Sequence, residues 1–187
     1  MTAPTRTIDL NADLGENAGD DEALLAIVTS ANVACGAHAG DHATMVRTCA
    51  LAAERGVVIG AHPGYDDREH FGRRALDLPA IDLATSLSSQ YAALMAAAAE
   101  AGATVRYVKP HGALYHRAAV DPAVAELVYR EAVAVDPALR FLSPPGSVLL
   151  QHAARADHGV RCVSEGFADR AYELGPGGAP ALVDRSA

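Results

Sequence analysis

Apolar and polar positions change period along this chain, and the changes mark out its elements. Residues 7–11 alternate polar and apolar, the period-two pattern of a strand. Residues 20–28 open with Asp20, Asp21 and Glu22 and continue apolar, predicting a helix whose acids sit favourably in its first turn. Residues 30–35 predict a second strand, stopped by Gly36. Asp41 is placed to cap a helix that runs to Glu54 and is ended by Gly56. Residues 57–61 are apolar enough for a strand buried on both faces. A polar loop over 62–77 leads into a long helix over 79–101, with Gly102 as its stop. Residues 105–108 predict the fourth strand, and Asp121-Pro122 reads as an N-cap followed by proline in the first helical turn. That helix ends near Asp136. A strand over 140–143, a helix over 147–156 and a strand over 160–164 follow. From 175 to 180 glycine and proline dominate, and no strand is expected there, because proline cannot donate to a ladder and glycine packs nothing. Six strands alternating with helices predict a parallel sheet covered by helices, either a barrel or a doubly wound open sheet.

Composition narrows the partners. The 187 residues suit one domain spanning 1–187; 23 Asp+Glu against 15 Lys+Arg leave a formal charge of −8. No basic stripe exists to meet phosphates, so neither nucleic acid nor an anionic membrane is expected as a partner. No run reaches the roughly 18–20 apolar residues that span a bilayer, and residues 1–7 lack an apolar signal core, so a cytoplasmic location is expected. The three cysteines, Cys35, Cys49 and Cys162, are unpatterned and read as small buried hydrophobes in a reducing compartment. Lys109 is the only lysine in a chain that otherwise uses arginine. Arginine is planar and always charged, whereas lysine is a compact point charge, so position 109 is expected to need the ammonium.

In parallel α/β folds, active sites form at the C-terminal ends of the strands. Five strand ends here carry reactive residues: Asn11 to Glu16, Gly36 to Asp41, His62 to Tyr65, Lys109 to Tyr115, and Glu165 to Arg170. Their repetition favours one shared site over scattered solvated polarity. Bland readings compete at single positions. Asp9 lies inside a strand and suits a structural role; His70, Arg73 and Arg74 suit either surface or a lid over substrate; His116, His152 and His158 read as surface. Glycines 36, 40, 64 and 112 shape turns and let backbone approach a ligand. No phosphate loop is present, since the lone lysine precedes proline, and neither a Gly-x-Ser-x-Gly elbow nor a His-Glu-x-x-His or paired Cys-x-x-Cys pattern occurs. Asp13, His38 and His62, from separate strand ends, are a candidate set for one divalent metal with an open position.

The segments Asn11-Ala-Asp-Leu-Gly-Glu16, Ser30-Ala-Asn-Val-Ala-Cys-Gly-Ala-His-Ala-Gly-Asp41, Ile59-Gly-Ala-His-Pro-Gly-Tyr65, Phe71-Gly-Arg-Arg74, Val108-Lys-Pro-His-Gly-Ala-Leu-Tyr115 and Glu165-Gly-Phe-Ala-Asp-Arg170 closely resemble the LamB/YcsF family of 5-oxoprolinase A subunits. The match runs in order over nearly the whole chain. It implies a deformed (β/α) barrel of the kind found in glycoside hydrolases and polysaccharide deacetylases. It also implies ATP-dependent opening of 5-oxo-L-proline to L-glutamate, with partner subunits B and C. After the Asp-Arg-x-Tyr segment this chain departs from the family pattern, and the last C-terminal barrel element is expected to be lacking.

A lactam amide is a poor electrophile, so hydrolysis needs activation of the carbonyl, a base for water and a cation for the developing oxyanion. ATP as co-substrate, bound by the partner subunits, would activate the amide oxygen. In that scheme Asp13 is the expected base with His62 as alternative, Lys109 stabilises the oxyanion or phosphate, and His111 donates a proton. Asn11, His38, Tyr115, Glu165 and Arg170 are expected to position substrate. Two other readings compete: a metal-dependent, deacetylase-like hydrolase of C–N bonds, and a non-catalytic binding subunit.

Overall fold

Six parallel strands lie side by side in the order in which they occur in the chain: β1 (Asn11–Leu14), β2 (Ser30–Ala34), β3 (Val58–His62), β4 (Val105–Val108), β5 (Arg140–Ser143) and β6 (Cys162–Ser164). The connections carry α1 (Asp21–Leu25), α2 (His42–Glu54), α3 (Ala80–Glu100), α4 (Gly112–Val120), α5 (Pro122–Val135) and α6 (Val148–Arg155). The computed structural model describes residues 7–155, 162–167, 172–174 and 180–182. A doubly wound sheet reverses its strand order at a switch point; this order never reverses, which leaves the barrel as the architecture. The sheet also curls. Asn11 on β1 reaches Glu165, just past β6, at 3.4 Å across the mouth. The fold is a deformed (β/α) barrel.

Helix starts follow the capping logic of the sequence. The carboxylates of Asp20, Asp41 and Asp121 accept the backbone N–H groups of Ala23, Thr44 and Ala123 at 3.0, 2.8 and 3.0 Å. Leu87, Tyr91, Leu94 and Ala98 of α3 recur at helical spacing, so one stripe of the helix is buried beneath α5, and the Tyr91 hydroxyl donates to the Val128 carbonyl at 3.2 Å. Cys35 and Cys49 are buried in this layer, and burial pushes their thiols up to about 12 and about 11. No helix among the described residues is long and apolar enough to cross a membrane.

The structure corrects three expectations. The first strand runs Asn11–Leu14 rather than over 7–11, and Ile8 and Leu10 are 89% and 51% exposed. Alternation reveals two faces but not which is interior, and here the polar face carrying Asn11 and Asp13 turns inward. Residues 112–120 form a helix that the pattern does not predict; it opens on Gly112 at φ 52°, a residue that signals turns. Of the stretch 175–180, residues 175–179 lie outside the described residues, and Pro180 opens a strand. β7 (Tyr172–Leu174) and β8 (Pro180–Leu182) pair antiparallel, with Pro180 at the first position of its strand, where a missing N–H is tolerated.

The pairing registers align Asp13 with Asn32, Asn32 with Gly60, and Gly60 with Tyr107, which makes one rung across the interior. Tyr107 lies over Gly60 and gives its hydroxyl to Asn32 Oδ1 at 2.6 Å. A Cβ at position 60 would overlap the Tyr107 ring. Gly60→Ala is therefore expected to cost about 1–3 kcal/mol through overpacking. Gly19→Ala, where a Cβ meets nothing within 4 Å, should change stability by under about 0.5 kcal/mol. Urea unfolding of both variants measures the contrast.

Candidate functional site

Lys109 leaves the end of β4 pointing into the mouth, and its side chain is 6% exposed. Its ammonium sits 3.1 Å from Asn11 Oδ1, 3.3 Å from Asp13 Oδ1 and 3.2 Å from Glu165 Oε2. The Phe167 ring lies under the same charge, 5.3 Å away. The fully buried Asn32 organises the partners: its amide donates to Asn11 Oδ1 at 2.7 Å and Asp13 Oδ1 at 2.8 Å. Burial alone would raise the pKa of Asp13. The charge and hydrogen bond of His62 and the charge of Lys109 outweigh it and hold the carboxyl well below the usual range. Asp13 nevertheless faces solvent, with 39% of its side chain exposed.

Beside this ion-pair cluster stands a group of three buried histidines and Glu16. His62 turns Nδ1 to the Lys109 carbonyl at 2.7 Å and Nε2 toward Asp13 Oδ2 at 3.4 Å. His111 turns Nε2 to the Phe71 carbonyl at 2.8 Å and Nδ1 to His62 Nε2 at 3.0 Å. His38 stacks flat on His111, ring centroids 3.7 Å apart, and reaches Glu16 Oε1 with Nε2 at 3.1 Å. Phe71, at φ 55°, closes the group with its ring edge to His38 and His111. Gly64 and Gly72 are required here, because a Cβ at either would press on His38 at 2.7 or 2.8 Å. Burial, ahead of the neighbouring histidines, pushes His111 down to about 4 and also lowers His38.

The structure thus brings Asn11, Asp13, His38, His62, Lys109, His111 and Glu165 to one mouth. Tyr115 lines the adjoining cavity of about 310 Å³ together with Arg73, His116 and Phe167. Arg170 lies outside the described residues. The proton-donor role expected of His111 does not suit its surroundings: both nitrogens face protein atoms, and a ring with its pKa near 4 holds no spare proton at neutral pH. Asp9 is structural, accepting from Thr29 Oγ1 at 2.6 Å and Ser30 Oγ at 2.7 Å. His70 and Arg74 hold the buried Asp67, at 2.9 and 3.3 Å, rather than the mouth. Sequence reasoning gives no role to Glu16, Asn32 or Tyr107. The period-two spacing from Ser30 and the strand-end placement of Glu16 are the signals that could have found them.

The lysine, carboxylates and histidines gather at the C-terminal mouth of a parallel (β/α) barrel, the end at which barrels of this architecture carry their sites. Comparison narrows the class: the LamB/YcsF family profile matches residues 8–186, and the chain belongs to that family. It is 52% identical over 190 residues to the 5-oxoprolinase A subunit of Nocardia farcinica, an alignment covering 96% of this chain and 75% of that one. To the 5-oxoprolinase A subunit of Streptomyces avermitilis it is 55% identical over 170 residues, covering 88% and 67%. The crystal structure of a lactam utilization protein from Thermus thermophilus superposes with a TM-score of 0.85 at 37% identity, covering 91% of this chain and 72% of that chain.

The histidines set a pH dependence. Unfolded histidines protonate near pH 6.5, whereas native His38 and His111 resist protonation, so below that pH the unfolded state binds more protons and stability falls. For His111 the loss continues to about pH 4. Asp13 acts lower on the scale: its stabilisation is present above the ordinary carboxylate pKa and is lost as pH falls below it. Urea midpoints should therefore drop steadily from pH 7.5 to 4.5, and His111→Gln should flatten that slope.

Proposed function

We propose that this chain is the hydrolytic subunit of an ATP-dependent 5-oxoprolinase, opening the lactam of 5-oxo-L-proline to L-glutamate together with subunits B and C. The observation that carries the reading is a buried lysine held between two carboxylates at the mouth of a barrel whose relatives are named as 5-oxoprolinase A subunits. ATP activates the amide oxygen on the partner subunits, since this chain has no phosphate loop.

The net chemistry breaks the ring C–N bond. ATP gives its terminal phosphoryl group to the amide oxygen and leaves as ADP; one water adds to the ring carbon and the ring nitrogen leaves as an amine; a second water then releases inorganic phosphate and completes the new carboxylate. Asp13 is the carboxylate that faces the cavity, and it accepts the water proton and returns it to the departing nitrogen. Its low pKa keeps it ionised but limits its basicity. As Lys109 turns from Asp13 to the phosphorylated amide oxygen, one of the charges that depress that pKa is withdrawn. Asn11 and Glu165 hold Lys109 in reach of the substrate, and Tyr115 shapes the cavity wall.

The decisive assay is ATP-dependent glutamate release from 5-oxoproline with all three subunits present, and with each omitted in turn. Release is expected only with the complete set; undiminished release without this chain would reject the reading. In the same assay Lys109→Arg should retain normal circular dichroism and lose roughly 10²-fold in turnover, because the bulkier guanidinium misplaces the charge by about an ångström.

A further inference from the structure

The geometry points to a binding site for one first-row divalent metal ion, held by Glu16 Oε1, His62 Nε2 and His111 Nδ1, with His38 fixing the Glu16 carboxylate. A backbone carbonyl only accepts, so His62 Nδ1 carries its proton toward the Lys109 oxygen at 2.7 Å, and His111 Nε2 carries its proton toward the Phe71 oxygen at 2.8 Å. A neutral imidazole has one N–H. With both rings neutral, the two remaining nitrogens meet at 3.0 Å lone pair to lone pair, an arrangement that needs positive charge, from a metal ion between them or from a second proton on His62. Metal-ligating histidines show the same habit of committing the remote N–H to a carbonyl or carboxylate.

Spacing and charge agree. Two metal bonds of about 2.1 Å span at most about 4.2 Å. The three pairs of proposed ligand atoms lie 3.0, 3.4 and 3.9 Å apart, so a single ion reaches all of them. The three separations subtend roughly 90°, 110° and 135° at such an ion, so three ligands leave coordination positions open. Around these atoms Asp13, Glu16 and Glu165 face Lys109, an excess of two negative charges in a largely buried site. Two imidazoles and one carboxylate select zinc, iron, cobalt or nickel over magnesium.

The set differs from the one the sequence suggests. Asp13 is engaged by Lys109 and Asn32 and His38 by Glu16, and Glu16 and His111 take their places. His38 Nε2, 3.1 Å from Glu16 Oε1, donates to it, and its stack on His111 keeps both rings in register. The cavity lined by Asp13, His62, Lys109 and His111 provides the entry path. A bound ion would supply Lewis-acid polarisation of an oxygen at the cavity floor.

The rival is a proton: a doubly protonated His62 would also satisfy its contact with His111. Calorimetric titration of the chelator-stripped full chain with zinc chloride separates the two, beside Co²⁺ absorption and ¹⁵N shifts of the histidine rings. One zinc per chain with a Kd below micromolar is expected, with the ¹⁵N resonances of His62 and His111 moving on binding. Glu16→Gln and His111→Gln should each weaken binding by at least about 10- to 100-fold. His42→Ala, at an exposed pair with Glu100, should leave it unchanged. Absence of zinc binding, zinc-induced shifts confined to other histidines, or unaltered affinity in both folded variants would overturn the site and assign the cation to His62 itself. If a variant fails to fold, the titration and ¹⁵N shifts of the unmodified chain still decide. No readout uses 5-oxoproline or ATP, so the outcome is separate from that of the proposed activity.

Discussion

Asn32 is the residue around which the mouth is organised. It is fully buried on β2, and its side chain makes three hydrogen bonds: donated to Asn11 and Asp13, accepted from Tyr107. A buried amide left unpaired is costly, so these partners are constrained as a set. The constraint reaches across four strands. Tyr107 reaches Asn32 only because position 60, on the strand between, has no side chain. With Asn11 and Asp13 held, the single lysine finds its two oxygen acceptors on β1 at fixed positions, and Glu165 completes its surroundings from the far side of the curled sheet.

Two kinds of polar interior are thus built side by side. Around Lys109 the charges are paired, which makes their burial tolerable: the ammonium has carboxylates on two sides and an aromatic face beneath it. Around His111 imidazole rings are stacked and crossed against each other, held in orientation by backbone carbonyls. The two halves meet at His62, which touches Asp13 on one side and His111 on the other. Lys109 joins them a second time, through its own carbonyl on His62 Nδ1. A displacement of β4 would move the ammonium and the histidine together.

The loop between β3 and α3 has a structural task in the site. The buried Asp67 gathers His70 and Arg74, and the turn they stabilise presents the Phe71 carbonyl to His111. Arg68 ties the same loop to the carbonyls of Gly36 and Gly40 at the end of β2. Gly72 then offers its own carbonyl to Ala113, at the start of α4. These connections are interlocked through backbone oxygens, which fix the shape of the mouth.

Much of this is legible in the sequence because the relevant signals are local. Acids before apolar runs announce the helix caps at Asp20, Asp41 and Asp121, and short apolar runs between glycines announce the strands. The rule that parallel sheets place chemistry at strand ends picks out Asp13, His38, His62, Lys109 and His111 from the chain alone. Direction and partnership are another matter. The alternation in β1 does not say that its polar face is the interior one, and it places the strand four residues early. Gly112 hides a helix because a glycine's positive φ reads locally as a turn. Glu16 and Asn32 escape notice because an acid after a strand and an amide within one have many ordinary uses. Their roles arise only when residues 16, 38, 62 and 111, or 13, 32, 60 and 107, are brought together by the register and curl of the sheet. Caps and periodicity depend on neighbours three or four positions away, whereas the choice of which carboxylate meets which histidine is made across strands, and tertiary structure alone decides it.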